Sequence, residues 1–200
     1  MPQISDEELM VGFQRGNAHA FELLFEKYRT PVFSFLYRML NRQKAPAEDL
    51  LQEIFMKIAG ARELYEPTAK FSTWLFTIAR NHCLNYIRSR RYLDGVNTAS
   101  LDGPMDGGIM ELKGTETETR MSGNPVEEQE IQGMLEQAIG GLPEKYREVF
   151  VLHAVEGLTH QEVSRILKMN PATVRTHYHR ARIMLRETIG DFLDQERSEK

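Results

Sequence analysis

An all-α fold of two helical domains, a bundle and then a helix-turn-helix, joined by a flexible acidic linker, is predicted by three observations. Apolar residues recur at helical spacing on both sides of a central stretch, and strand-like alternation is missing from the first 93 residues. That central stretch, residues 94–124, is rich in Gly, Ser, Thr, Asp and Glu and poor in large apolar side chains, so it cannot bury enough surface to offset its ordering entropy. Charge is segregated in the same way. Residues 69–93 carry five bases and no acid, residues 158–186 carry six bases against Glu162, and residues 94–144 carry eleven acids against Lys113 and Arg120. Two modules of about +5 thus flank a connector of about −9, a pattern hidden by the net charge of −4. The expected organisation is a first domain over 1–93, a linker over 94–124 and a second domain over 125–200.

The first domain opens with Ser5 before DEELM, an N-cap with acids in the first turn. A long helical pattern follows, through Phe21, Leu24, Phe25, Tyr28, Val32, Phe33, Leu36, Met39 and Leu40, with Pro31 either kinking it or absorbed by it. The next helix, Ala45–Ala59, has Leu50, Leu51, Ile54, Phe55 and Ile58 as its stripe, while Asp49, Gln52, Glu53 and Lys57 point elsewhere. A loop around Glu63–Ala69, containing Pro67, leads into Phe71–Tyr92, which reads as a helix ~33 Å long. Lys70, Trp74, Thr77, Arg80, Asn81, Asn85, Arg88 and Arg91 share an arc of ~140° on it, and Phe71, Leu75, Phe76, Ile78, Ala79, Cys83, Tyr86 and Ile87 lie opposite. Leu84 and His82 break the pattern. A helix with one buried face and one cationic, partly aromatic face suits the backbone and exposed bases of nucleic acid. An ordinary amphipathic helix with a solvated basic face is the competing reading.

After the linker, about thirty residues able to reach ~30 Å relaxed and ~100 Å extended, helices resume at Pro125. Val126–Ile139 is acidic and amphipathic and closes on Gly140-Gly141. Pro143 starts a helix whose apolar face is Tyr146, Val149, Phe150, Leu152 and Val155, ended by Gly157. Thr159 and Glu162 make a capping box for a short helix with Val163, Ile166 and Leu167 inward. A turn at Lys168-Met169 follows, and Asn170-Pro171 supplies the N-cap and first residue of the last helix. There Val174, Tyr178, Ala181 and Leu185 form the packing face, and Ala172, Arg175, Thr176, His179 and Arg180 lie on the opposite arc. A recognition helix is built this way, with one side on its neighbours and the other toward major-groove base edges. Arg175 and Arg180 can pair bidentately with guanine, and Thr176 and His179 give shorter contacts. Arg182 and Arg186 are placed for phosphates.

Composition excludes several classes. No apolar run approaches the ~20 residues that span a bilayer, and the acidic N-terminus is unlike a signal peptide. The lone Cys83 allows no internal disulfide, suits a reducing cytoplasm and is expected as a buried small residue. His177 and His179 diverge on a helix and make a poor metal pair. Neither a phosphate-binding glycine loop nor a nucleophile–base–acid set is present, so the chain reads as a binding protein without cofactor or metal rather than an enzyme.

Three stretches in this order, AEDLLQEIFMKI, FSTWLFTIARNHCLNYIRSRR and GLPEKYREVFVLHAVEGLTHQEVSRILKMNPATVRTHYHRAR, resemble the bacterial RNA polymerase sigma factors of the extracytoplasmic-function (ECF) type. The resemblance implies a region 2-like bundle for the promoter −10 element and a region 4-like helix-turn-helix for the −35 element, without the extra domains of housekeeping sigma factors. It implies that Asp49, Gln52, Glu53 and Phe55 dock on the coiled coil of the polymerase largest subunit, Phe55 being surface-directed, and that the polymerase flap is a further contact. It implies −10 contacts at Lys70, Trp74, Asn81, Asn85, Arg88 and Arg91, and −35 contacts at Arg175, Thr176, His179, Arg180 and Arg182. An anti-sigma factor is an expected partner. Thr77-Ile78 stand where housekeeping sigma factors carry a tryptophan pair, which implies weaker melting power. Lys168 replaces a glycine common in the turn. The acidic connector is expected to screen both cationic modules in the free protein. Two rivals stay open on sequence alone: a helix-turn-helix regulator with a ligand-sensing or dimerising N-terminal domain, and a structural helical adaptor.

Overall fold

In the computed structural model, residues 4–93 and 125–198 are described; the linker expected over 94–124 lies outside the described residues. The first group of helices is α1 (Asp6–Gln14), α2 (Ala18–Met39), α3 (Lys44–Gly60), a 3-10 turn at Arg62–Leu64 and α4 (Phe71–Leu93). The second is α5 (Pro125–Gly141), α6 (Glu144–Phe150) continuing into a π-helical turn at Val151–Val155, α7 (His160–Leu167) and α8 (Pro171–Ser198). The described residues contain no strand.

The helix starts have local causes. Ser5 Oγ accepts from the Glu8 amide while the Glu8 carboxylate accepts from the Ser5 amide, a full capping box. Asn17 Oδ1 accepts from the Ala20 amide to cap α2. Pro31 is absorbed: α2 runs through it unbroken, although its missing N–H leaves one carbonyl a turn earlier without a helical partner. Glu7 reaches across from α1 to accept from the Phe71 amide at 2.8 Å and so caps the start of α4. The first core forms where these helices meet, from Met10, Leu24, Val32, Phe35, Leu36, Ile54, Ile58, Phe71, Leu75 and Phe76. Cys83 is buried there, and burial pushes its thiol up to about 12, which keeps it unreactive.

In the second group the Thr159–Glu162 capping box forms as the sequence predicts, and Asn170 Oδ1 accepts from the Ala172 amide to start α8. Val163, Ile166, Leu167, Val174, Ala181 and Leu185 are buried between α6, α7 and α8. Val155 departs from expectation: it is 37% exposed. The cause is the π turn, in which the Glu156 amide donates to the Val151 carbonyl five residues back, so the apolar stripe is wound out of register before Gly157 ends the segment in the left-handed region at φ 71°. Lys168, which closes α7, is also left-handed, at φ 53°. A side chain there costs about 1 kcal/mol that glycine avoids. Lys168→Gly is therefore expected to raise stability by up to roughly 0.5 kcal/mol in urea unfolding, net of glycine's larger unfolded-state entropy.

The two groups touch. α4 lies against α7, and α2 against α5, α6 and the π turn. Polar bridges cross this contact: Arg38 pairs with Glu136, and Arg147 Nη1 donates to Asn41 Oδ1 at 2.5 Å.

Candidate nucleic-acid interface

The loop before α4 is held rigidly for its size. Gln14 Nε2 donates to the carbonyls of Arg62 and Tyr65 at 2.7 and 2.8 Å, fixing both ends of the turn. Tyr65 is buried with its ring 6.0 Å from Phe71 and 5.2 Å from Trp74, and desolvation, with Glu7 and Asp6 nearby, pushes its phenol up to about 12. Phe71 is fully buried against Tyr28 and Tyr65 and props Trp74 at 5.9 Å. Trp74 is therefore half-buried and braced, presenting part of its indole beside the loop. An open groove of about 630 Å³ runs along this loop, lined by Ser5, Asp6, Lys27, Thr68, Lys70 and, from α7, Arg165. Asp6 is neutralised by Lys27 at 2.7 Å and accepts from the Tyr28 hydroxyl at 2.6 Å.

Along α4, Asn81, Asn85 and Arg88 are exposed. Lys70 and Arg91, which bound the same face, are engaged by carboxylates of the second group: Lys70 Nζ lies 2.8 Å from Glu162 and Arg91 Nη2 2.9 Å from Glu144. Between them Arg80 makes a forked contact with Glu148 at 3.0 and 3.3 Å. Glu148 is 4% exposed; its burial raises its pKa, and Arg80 opposes that rise. Glu162 has a lowered pKa: burial acts to raise it, but hydrogen bonds from Lys70 and Thr159 outweigh that. Part of the α4 face that periodicity marks as polar is thus covered by protein rather than by water.

On α8, Arg175, Thr176, His179 and Arg180 are all exposed, and Thr176 donates back to the Ala172 carbonyl at 3.0 Å. Arg182 is drawn toward the preceding turn, its guanidinium 5.8 Å from the Tyr178 ring centroid. On α3, Asp49, Gln52 and Glu53 are exposed.

Phe55 requires a correction. It is 5% exposed, with its ring 4.8 Å from Phe25 and 6.3 Å from Phe21, so it faces the core rather than outward. Its neighbour Met56, 66% exposed, is the apolar group that stands beside Gln52 and Glu53. The signal was present in the sequence: Phe55 belongs to the Leu51–Ile54–Ile58 stripe and Met56 does not. Glu144, Glu148 and Glu162 were missed as partners of α4. Glu148 alone had a sign, an acid four residues before Leu152 on the apolar side of its helix.

A helix-turn-helix with a cationic outer face, following a bundle with a braced aromatic loop and a cationic helix, defines a DNA-binding protein of two modules. Profiles for Sigma-70 region 2 and Sigma-70 region 4 match residues 24–92 and 132–185. RNA polymerase sigma factor CarQ of Myxococcus xanthus is 32% identical over 91% of this chain and 96% of its own length. The ECF RNA polymerase sigma factor SigW of Bacillus subtilis is 31% identical over 89% and 93%. In fold, the chain is similar to the sigma factor RpoE solved in complex with the anti-sigma factor NepR from Bartonella quintana, with a TM-score of 0.64, 21% identity and coverage of 85% and 96%. The chain belongs to the ECF-type RNA polymerase sigma factors, initiation factors that direct core RNA polymerase to promoters. No helix among the described residues is long and apolar enough to cross a membrane.

Proposed function

We propose a division of labour within this sigma factor: residues 1–93 dock on core polymerase and read the −10 element, residues 125–200 read the −35 element, and residues 94–124 join them. On α3, Asp49, Gln52 and Glu53 with Met56 form the docking face for the largest-subunit coiled coil, and Phe55 supports that face from beneath. Acids and an amide around one exposed apolar side chain suit a mixed protein interface. Lys70 and Arg91 hold phosphates, Arg88 joins them, Asn81 and Asn85 meet base edges of the opened strand, and Trp74 offers a stacking surface. Thr77 and Ile78, in place of a tryptophan pair, limit the helix to capturing opened DNA. On α8, Arg175 and Arg180 read guanines, Thr176 and His179 make shorter contacts, and Arg182 steadies the backbone. The chain acts in the cytoplasm by binding and not by catalysis, takes an anti-sigma factor as RpoE does, and contacts the polymerase flap.

The observation that carries this reading is the outer face of α8: four polar or cationic side chains are exposed in a row while Val174, Ala181 and Leu185 behind them are buried. Run-off transcription with core polymerase on a library of randomised promoters tests it. Initiation at a two-part sequence is the expected result, and tight duplex binding without polymerase and without initiation would replace it with an autonomous regulator. Arg175→Ala is expected to cost about 1–3 kcal/mol at the promoter and to relax preference at a single upstream position, as loss of one bidentate base contact does.

A further inference from the structure

We infer that α1 sets the position of Trp74: Glu7 and Gln14 are positioning residues that act through the two rings bracing the indole. Their role rests on the proposed reading of Trp74 as a stacking surface for a base of the opened strand. Trp74 leans on Tyr65 at 5.2 Å and on Phe71 at 5.9 Å. The backbone of each of these residues is held by one side chain of α1. Gln14 spends both hydrogens of its amide, at 2.7 Å on the Arg62 carbonyl and at 2.8 Å on the Tyr65 carbonyl. Glu7 accepts from the Phe71 amide at 2.8 Å. That amide belongs to the first turn of α4, where N–H groups have no helical partner. The turn carries no acid, and the Lys70 ammonium before it can only donate. Thus α1 supplies from outside the cap that α4 lacks. Glu7 and Gln14 also share one side of α1, ~10 Å apart along its axis and within ~20° of each other around it.

Between these anchors the chain stands clear of α1. Glu66, Pro67, Thr68 and Lys70 are exposed, and a cleft of about 320 Å³ separates Pro67 from Val11 and Gly12. The two braced ends therefore govern where the loop runs and where its rings sit. Arg62 adds a tie at the first end, its guanidinium 5.3 Å from the Phe13 ring centroid. Removing the Gln14 amide leaves two half-buried carbonyls without a donor and frees Tyr65 to shift, so Trp74 loses one wall. Removing Glu7 uncaps α4 and loosens Phe71, the other wall. A binding surface must be held within about 0.5 Å to keep its contacts, and the neighbouring rings provide that only while α1 holds them.

Trp74 is the single tryptophan of the chain, so its emission reports its own surroundings. In the full chain, Gln14→Leu and Glu7→Ala are each expected to shift that emission to the red and to raise its quenching by acrylamide. Asn17→Ala removes the cap of α2 without touching the loop and is expected to change neither, although it also costs stability. With core polymerase and a promoter selected by the parent chain, run-off transcription gives the promoter concentration for half-maximal initiation. Trp74→Leu and Gln14→Leu are each expected to raise it by about tenfold, the scale of one base–aromatic stack. In the Trp74→Leu background Gln14→Leu should add little, because it acts through the missing ring. The same factor in both backgrounds, or emission unchanged in both α1 variants, would overturn the positioning role. Glu7→Gln keeps an acceptor for the Phe71 amide and should recover most of the Glu7→Ala loss; no recovery would overturn the part assigned to Glu7. A promoter requirement unmoved by Trp74→Leu removes the stacking reading, and the positioning role with it. A Trp74→Leu effect beside equal Gln14→Leu factors removes the positioning role alone.

Discussion

Phe71→Ala is expected to destabilise the first helical group by about 3–5 kcal/mol, the range for removing a fully buried phenyl ring. Phe71 has no exposure, and its ring is surrounded by those of Tyr28, Tyr65 and Trp74 at 5.3, 6.0 and 5.9 Å. Its backbone amide also donates to Glu7, so the residue is tied to α1 as well as to the core and cannot slide to fill the void. The loss is both structural and functional, because the ring that braces Trp74 disappears. Urea unfolding measures the first part; a change below about 1 kcal/mol would show that the aromatic cluster collapses around the gap. Phe71→Leu, which keeps most of the volume, should fall well short of the alanine variant.

The second large effect concerns a carboxyl at the junction of the two groups. Glu156 lies at the end of the π turn near Ser34 and Arg38 of α2, and its Oε1 has no hydrogen-bond partner. Arg38 is already committed to Glu136 and Ser34. One guanidinium therefore faces two carboxylates in a partly dry site, and desolvation pushes the Glu156 pKa up to about 7 despite Arg38. The folded chain then holds a proton that the unfolded chain releases near pH 4.5. Stability is fully present below that pH, falls as pH rises toward 7 and levels off above it, with a total of up to ~3 kcal/mol. Glu156→Gln should remove that slope and leave the variant more stable than the parent at pH 8 and less different at pH 4. Thermal unfolding from pH 4 to 8 measures both. A Glu156→Gln curve that runs parallel to the parent's from pH 4 to 8 would contradict the assignment.

Much of the local structure was legible because its causes are local. Ser5 as the N-cap before DEELM, Thr159 with Glu162, and Asn170 before Pro171 are short-range hydrogen-bonding patterns, and the structure forms all three. The two-sided division of α4 was legible for the same reason, since Phe71, Leu75, Phe76, Ala79 and Cys83 are buried at helical spacing. Phe55 was misplaced when a family role outweighed its own position in the apolar stripe. Val155 was misplaced because one π turn shifts everything after it, and apolar periodicity carries no mark of where a helix widens. The contacts across α4 were illegible for a different reason. Arg80 and Glu148 are 68 residues apart, and Arg38 and Glu136 are 98 apart. Screening of the cationic modules was expected from the acids of residues 94–144, of which 94–124 lie outside the described residues. Of the carboxylates seen on α4, Glu144 is one of those acids and Glu148 and Glu162 lie beyond them; Glu162 had read as a cap, and Glu148 had drawn no reading of its own.

Whether each group of helices reads its own promoter element is decided by selection. Transcripts made by core polymerase from a randomised promoter library would be sequenced for the parent chain, for Arg175→Ala/Arg180→Ala and for Asn81→Ala/Asn85→Ala. The α8 variant is expected to lose sequence preference only at the upstream element and the α4 variant only at the downstream one. Loss at both elements in either variant, or at neither, would contradict it.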